Sequence, residues 1–285
     1  MAGKVRIVTD SAADIPAEVR ERLGISVVPC KVIFGEETYL DTVTIEIEQF
    51  YEKLAQSPSL PTTSQPSPMD FSDVYQRLLA EDANAPILSI HLSAALSGTY
   101  QSAVIAQSMI EEKADITVID SKSASYGYGR RVVRAAEMAQ AGEAVERIIE
   151  EVERLEKNTE LYFLVESLDY LQKGGRIGKA SAFIGSILNI KPILSLDPEG
   201  VVQAVDKVRG SKKAMQRIVD LLAQSFGDEP VHATMAWSYH KETAEELGEL
   251  IKSRFNVQSM DKARIGSTIG THTGPGTSAV FMHRL

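Results

Sequence analysis

Three short stretches carry hydroxyl and imidazole groups at spacings that could receive an anion. "PTTSQPSP" (61–68) sets Thr62, Thr63 and Ser64 among prolines, and "LSGTYQSA" (96–103) sets Ser97 before Gly98. "IGTHTGPG" (269–276) places Gly270, Thr271 and His272 in a glycine-rich run. A neutral hydroxyl donates one hydrogen bond to a carboxylate or phosphate and leaves the anion a lone pair for reaction. Four prolines within residues 57–68 lower the entropy cost of holding the three hydroxyls in one pose. Ser97 stands where a helix is predicted to begin. It can cap that helix, and the helix N–H groups and dipole there also favour an anion. "IGTHTGPG" reads either as a turn between strands, with His272 satisfied by a carbonyl, or as a polar corner where glycines let backbone N–H groups reach a ligand. Ser97 and His272 could also serve as nucleophile and base of an esterase or phosphatase acting on a lipid-like substrate. No G-x-S-x-G elbow surrounds Ser97, and the sequence marks no third residue to orient the histidine.

Composition removes other chemistries. The chain has 285 residues, 44% of them hydrophobic and 24% charged, so a globular protein with a real core is expected. A net charge of −9 argues against a nucleic-acid surface, although Lys207, Arg209, Lys212 and Lys213 form a local basic cluster. Cys30, the single cysteine, lies in the apolar run "ISVVPCKVIF" and reads as a buried structural thiol. Asp10, Ser11, Asp120 and Ser121 sit at strand ends as caps and lack metal-ligand spacing, and His91 reads as a hydrogen-bonded core histidine. No metal is expected. The Gly174–Gly175 turn in "KGGRIGK" lacks P-loop order, so no nucleotide cofactor is expected either. The N-terminus enters a strand at once and no apolar run could span a bilayer, so a cytoplasmic protein is expected.

Strands and helices alternate through the first half. Apolar runs at 5–10, 25–34, 87–91 and 116–120 predict strands, with helices at 46–54, 69–81, 98–113 and 125–139 between or after them. This rhythm predicts an α/β domain of three layers, α/β/α, around a parallel sheet. Its strands end in Asp, Ser, Thr or His, and ligands of such sheets bind beyond those ends. After the charged helix at 145–157, strands come in quick succession with helices at 212–226 and 242–255. That predicts a two-layer α/β domain with a mixed sheet, giving domains 1–158 and 159–285. "GRIGKASAFIGSILNIK" would place Phe183, Ile184, Ile187 and Leu188 on one helical stripe between Lys179 and Lys191.

Taken in order, "TSQPSP", "LSGTYQSA", "VIDSKSAS", "KGGRIGK" and "HTGPG" resemble the DegV family of bacterial fatty-acid-binding proteins, over essentially the whole chain. One departure is Ala94, where relatives often carry a second serine beside Ser93. The resemblance implies a long-chain fatty acid held in a tunnel between two domains, with no cofactor of the protein's own. It also implies a partner fatty acid kinase subunit that brings ATP and magnesium and converts the carboxylate to an acyl phosphate for phospholipid metabolism. By the same resemblance Thr63 and Ser97 hold the carboxylate and His272 completes the polar network, with Thr62, Ser64, Gly98, Gly270 and Thr271 in support. Arg176 and Arg209 would belong to the partner and phosphate surface. The Phe183–Leu188 stripe would line or gate the tunnel, with transient membrane contact nearby.

Overall fold

The structure is a computed structural model, and residues 4–110, 114–184 and 190–285 are described. The first half runs β1 (Arg6–Asp10), α1 (Ala17–Leu23), β2 (Ser26–Val28), β3 (Lys31–Phe34), β4 (Glu37–Leu40), α2 (Ile47–Gln56) and β5 (Thr62–Ser64). It continues with α3 (Pro68–Glu81), β6 (Ile87–His91), α4 (Thr99–Ser108), β7 (Ile116–Asp120), α5 (Tyr126–Gln140) and α6 (Val145–Asn158). Strands β2-β1-β6-β7 form a parallel sheet in that order. Alternate side chains serve its two faces. Val5, Ile7, Leu88 and Ile90 pack with Tyr128, Val132 and Val133 of α5. Val8, Ile87 and Ile116 pack with Phe71, Tyr75 and Leu78 of α3 and with Ala103 and Ala106 of α4. The three-layer α/β/α arrangement follows from that alternation.

The second half runs β8 (Thr159–Leu164), α7 (Asp169–Lys173), β9 (Ile190–Leu196), β10 (Val202–Arg209), α8 (Ser211–Phe226) and β11 (Pro230–Trp237). Then come α9 (Glu242–Arg254), β12 (Asn256–Arg264), α10 (Ser267–Thr273) and β13 (Ser278–Arg284). Its mixed sheet has the order β10-β9-β8-β13-β11-β12, with only the β11–β12 pair parallel. Tyr162, Leu164, Val280 and Met282 face α8 and α9. Their neighbours Phe163, Ala279 and Phe281 face the first half of the chain and share a core with α5.

Five expectations change. The run 25–34 is two strands, not one: around Pro29 and Cys30 the chain leaves the parallel sheet and enters a second, antiparallel sheet of order β4-β3-β5. Proline lacks the N–H a ladder needs, so the break falls there. The proline-rich stretch contains a short strand, β5, with Thr63 opposite Val32 of β3. "IGTHTGPG" is no turn between strands, because Ile269 to Thr273 belong to helix α10, which Gly274 ends at φ 77°. The Phe183 stripe is a 3₁₀ turn, Gly178–Phe183, after which Ile184 is extended; Ile187 and Leu188 lie outside the described residues. Helix α4 begins one residue beyond Gly98 and ends at Ser108.

Candidate functional site

Beyond the carboxyl ends of β6 and β7, under the inner face of the mixed sheet, lies a largely apolar cavity. Its walls follow from strand periodicity. Leu161 and Phe163 of β8 and Ala279 and Phe281 of β13 are i, i+2 pairs, paired across the two strands as Phe281 with Leu161 and Ala279 with Phe163. Leu196 and Val202 extend the wall toward the β9–β10 edge, and Leu92 and Leu96 close it from the loop after β6. The cavity volume is about 90 Å³ as traced by the centre of a water-sized sphere, within an envelope of about 770 Å³ that includes its mouth.

Thr63, Ser97, Arg176 and His272 come to this one cavity from four segments of the chain. Thr63 Oγ1 and His272 Nε2 are 2.8 Å apart. Ser97 Oγ lies 2.8 Å from Thr99 Oγ1 and accepts from the Thr99 amide at 3.3 Å, so from just before the N-cap, Gly98, it occupies the first free amide of α4. A contiguous chain of contacts joins them. Gly98 abuts the side chain of Gln65, two residues from Thr63, where a Cβ would stand 3.0 Å from Gln65 Nε2. Arg176 donates from Nε to the Leu96 carbonyl at 3.0 Å and from Nη1 to the Gly174 carbonyl at 2.8 Å. Gly174 in turn lies flat against His272, since a Cβ there would fall 2.3 Å from His272 Nδ1. The five residues Gly174, Arg176, Ser97, Thr63 and His272 are therefore one cluster.

The imidazole is neutral at physiological pH. Burial, and then the positive charge of Arg176, push its pKa down to about 4. Its Nδ1 is buried without a hydrogen-bond partner. A buried N–H left without an acceptor is rarer and costlier than an under-used acceptor. The hydrogen-bond network therefore assigns the proton to Nε2. His272 then donates to Thr63 Oγ1, which leaves the threonine hydrogen free to turn toward the cavity. Histidine thus orients a hydroxyl donor.

The head of the cavity is not made of hydroxyls alone, as the sequence suggested. Arg176, expected on a partner surface, lines the cavity, and it donates to backbone carbonyls rather than to a carboxylate. A guanidinium so placed balances an anion without a bidentate grip. Arg209 is exposed at the end of β10, away from the cavity. The supporting residues fall outside the lining. Thr62 is exposed, Ser64 donates to the Gln65 carbonyl, and Thr271 donates back to the Ser267 carbonyl within α10. Gly270 makes room for Phe50 and Tyr51, its hypothetical Cβ falling 2.4 Å from the Tyr51 hydroxyl oxygen.

Beneath the cavity is a set of buried carboxylates that sequence reasoning did not assemble. Asp10 accepts from Tyr128 Oη at 2.7 Å and the Leu92 amide at 3.2 Å, with His91 Nδ1 at 2.9 Å. His91 is thus the satisfied core histidine expected. Asp41 accepts from Ser11, Ser267 and Thr268 hydroxyls, the last at 2.6 Å. Asp14 accepts from the Gly266 amide at 2.9 Å and from Ser125 Oγ. Burial raises the pKa values of both Asp14 and Asp41. Ser125 lines the cavity with φ 53° and ψ −149°, a conformation that costs a non-glycine residue energy. Of this set the sequence singles out Asp10 and Ser11, as strand-end caps; Asp14 is not singled out, and Asp41 follows a hairpin and carries no motif. Ser93, beside Ala94, is structural, since its hydroxyl donates to the Gly200 carbonyl at 3.1 Å.

Fold and site together define a two-domain α/β protein with an apolar cavity headed by hydroxyls, a neutral histidine and one arginine. The family model described as "Uncharacterised protein, DegV family" matches residues 4–284. This chain belongs to the DegV family. It is 37% identical over 279 residues to Protein DegV of Bacillus subtilis, covering 97% of this chain and 98% of that one. Among solved structures it is similar to a fatty-acid-binding DegV family protein of Thermus thermophilus, at TM-score 0.92 and 37% identity over 99% of this chain and 100% of that one. A stearic-acid-binding protein of Eubacterium ventriosum matches at TM-score 0.89 and 28% identity, over 98% of each chain. The described residues contain no group of metal-ligating side chains and no helix long and apolar enough to cross a membrane.

Proposed function

We propose that this protein binds a long-chain fatty acid in the cavity and presents its carboxylate to a partner fatty acid kinase subunit. The kinase brings ATP and magnesium and forms an acyl phosphate. The observation that carries the reading is the pairing of a greasy wall with one polar cluster, in which His272 turns the Thr63 hydroxyl toward the cavity beside Ser97 and Arg176. Each methylene moved out of water contributes about 0.8 kcal/mol, so the tail dominates affinity. The head needs compensation, because an unpaired carboxylate out of water is costly. Thr63 and Ser97 supply single hydrogen bonds, and Arg176 supplies charge from a guanidinium already committed to two carbonyls. A carboxylate oxygen then keeps a lone pair to attack the terminal phosphorus of ATP. As that O–P bond forms, the bond to the ADP oxygen breaks, and no base has to take a proton.

An esterase or phosphatase would need more. Ser97 bonds to Thr99 rather than to His272. Thr63 does face His272, but a histidine with pKa near 4 is a weak base at neutral pH, and no carboxylate orients its Nδ1. We further place the exposed Arg209 on the kinase-facing surface, and Ile184 and Val205, exposed near Lys207, on a surface for transient membrane contact. Native mass spectrometry of the purified protein tests the carrier reading. A co-purified fatty acid mass with no turnover of p-nitrophenyl esters is expected; steady ester hydrolysis lost in Thr63→Val would replace this reading with the enzymatic one.

A further inference from the structure

We infer that Phe281, seated in a notch made by Gly127, is the floor that limits how long or bulky an acyl tail this protein accepts. The inference rests on the fatty-acid reading above and adds a specificity determinant to it. Phe281 lines the main cavity and also a second, much smaller one of about 10 Å³ on its far side. Its ring is thus a partition between the two. Strand geometry gives its depth. Thr277 donates to the Thr273 carbonyl, one residue from His272, and β13 then runs four residues further to Phe281, about 13 Å at the usual rise. The ring therefore stands well away from the head-group cluster, where a tail would reach it.

The chamber behind the ring differs in kind from the cavity in front. It is lined by Arg130, Arg131, Thr159, Thr234 and His283, and it is about large enough for one water. Arg131 is 5% exposed, and its Nε has no hydrogen-bond partner. Leu155 is the one aliphatic side chain behind the ring, so a methyl group pushed past Phe281 would lie mostly against polar groups. The partition thus has a mechanical face and a polar backing.

Gly127 sets where the ring sits. A Cβ at that position would fall 2.5 Å from Phe281 Cε1 and 2.7 Å from Ser123 Oγ. An alanine there must push the ring forward, into the main cavity. The two positions therefore move one boundary in opposite directions: Gly127→Ala shortens the cavity and Phe281→Ala lengthens it.

The test loads delipidated protein with an equimolar mixture of saturated fatty acids from twelve to twenty carbons and reads bound species by native mass spectrometry. Phe281→Ala should shift the bound distribution toward longer chains, with each newly accommodated methylene tightening binding about fourfold. Gly127→Ala should shift it toward shorter chains. Phe281→Leu, a smaller perturbation of the core, should shift it in the same direction as Phe281→Ala, and it carries the test if either other variant fails to fold. Identical distributions in wild type and folded variants would overturn the inference and leave fatty-acid binding standing. A wild type that takes up none of the mixture would instead overturn the underlying function.

Discussion

Two polar regions meet along helix α10, through Ser267 and Thr268 on one side and His272 on the other, and differ in how completely their hydrogen bonds are spent. At the buried acid set, every carboxylate is saturated: Asp41 takes three hydroxyl donors, and Asp10 takes backbone and side-chain donors around both oxygens. At the cavity head, capacity is left over. The Thr63 hydrogen is free, and Arg176 has carbonyls for company instead of a counter-ion. Buried polar groups without partners cost stability, so a protein keeps them where a ligand will complete them. The saturated region holds the fold; in the function proposed here, an anion completes the unsaturated one.

That contrast can be broken at either side. The largest effect is expected at Asp41. Asp41→Ala strands the hydroxyls of Ser11, Ser267 and Thr268 and loosens the start of α10, costing about 3 kcal/mol or more in urea unfolding. A loss below about 1 kcal/mol would show that the saturated region is not the anchor of α10.

Next comes pH. The folded His272 titrates near 4, while an unfolded histidine does so near 6.5. Between these values the unfolded chain binds more protons, so the histidine's contribution is intact above 6.5 and is lost as pH falls toward 4. The loss should be on the order of 2 kcal/mol. Asp14 and Asp41, whose pKa values are raised, act with the opposite sign and cost stability as pH rises out of the acid range. Comparing wild type with His272→Gln isolates the histidine: the slope of unfolding free energy against pH from 4 to 6.5 should flatten in the variant. Parallel slopes would mean that the ring is not held neutral by its burial.

Smaller effects are expected at the unsaturated side itself. Thr63→Val keeps the shape but removes the cavity-facing donor and the acceptor of the His272 Nε2–H, so fatty-acid affinity should fall about tenfold, as measured by competition with a fluorescent acid, and stability by about 1 kcal/mol. Loss of stability without loss of affinity would reverse the roles of the two regions. Arg209→Ala should leave fatty-acid binding alone and lower the rate of phosphorylation by the partner kinase a few-fold. Equal loss of both would make Arg209 structural.

What the sequence discloses follows the same division. The strands β1, β6 and β7 and the helix α3 are legible because continuous apolar runs and the Ser67–Pro68–Asp70 capping pattern state them locally. Helix α10 is not, since "STIGTHT" is made of poor helix formers. It forms because Asp14 binds the Gly266 amide and Asp41 binds Ser267 and Thr268, contacts made across more than 220 residues. Strand β5 likewise exists by pairing with β3. Thr63, Ser97 and His272 could be singled out from residue type and spacing, but their meeting in one cavity depends on those long-range anchors. That Arg176 lines the cavity is not legible, because nothing local says that its guanidinium turns to the Leu96 and Gly174 carbonyls.

The most direct measurement is a crystal structure of the delipidated protein re-loaded with palmitate. The account predicts carboxylate density within about 3 Å of Thr63 Oγ1 and Ser97 Oγ, near Arg176, with the tail running past Phe163 toward Phe281. A palmitate whose carboxylate lies at the Phe281 end, or a cavity that stays empty while palmitate binds elsewhere, would contradict it.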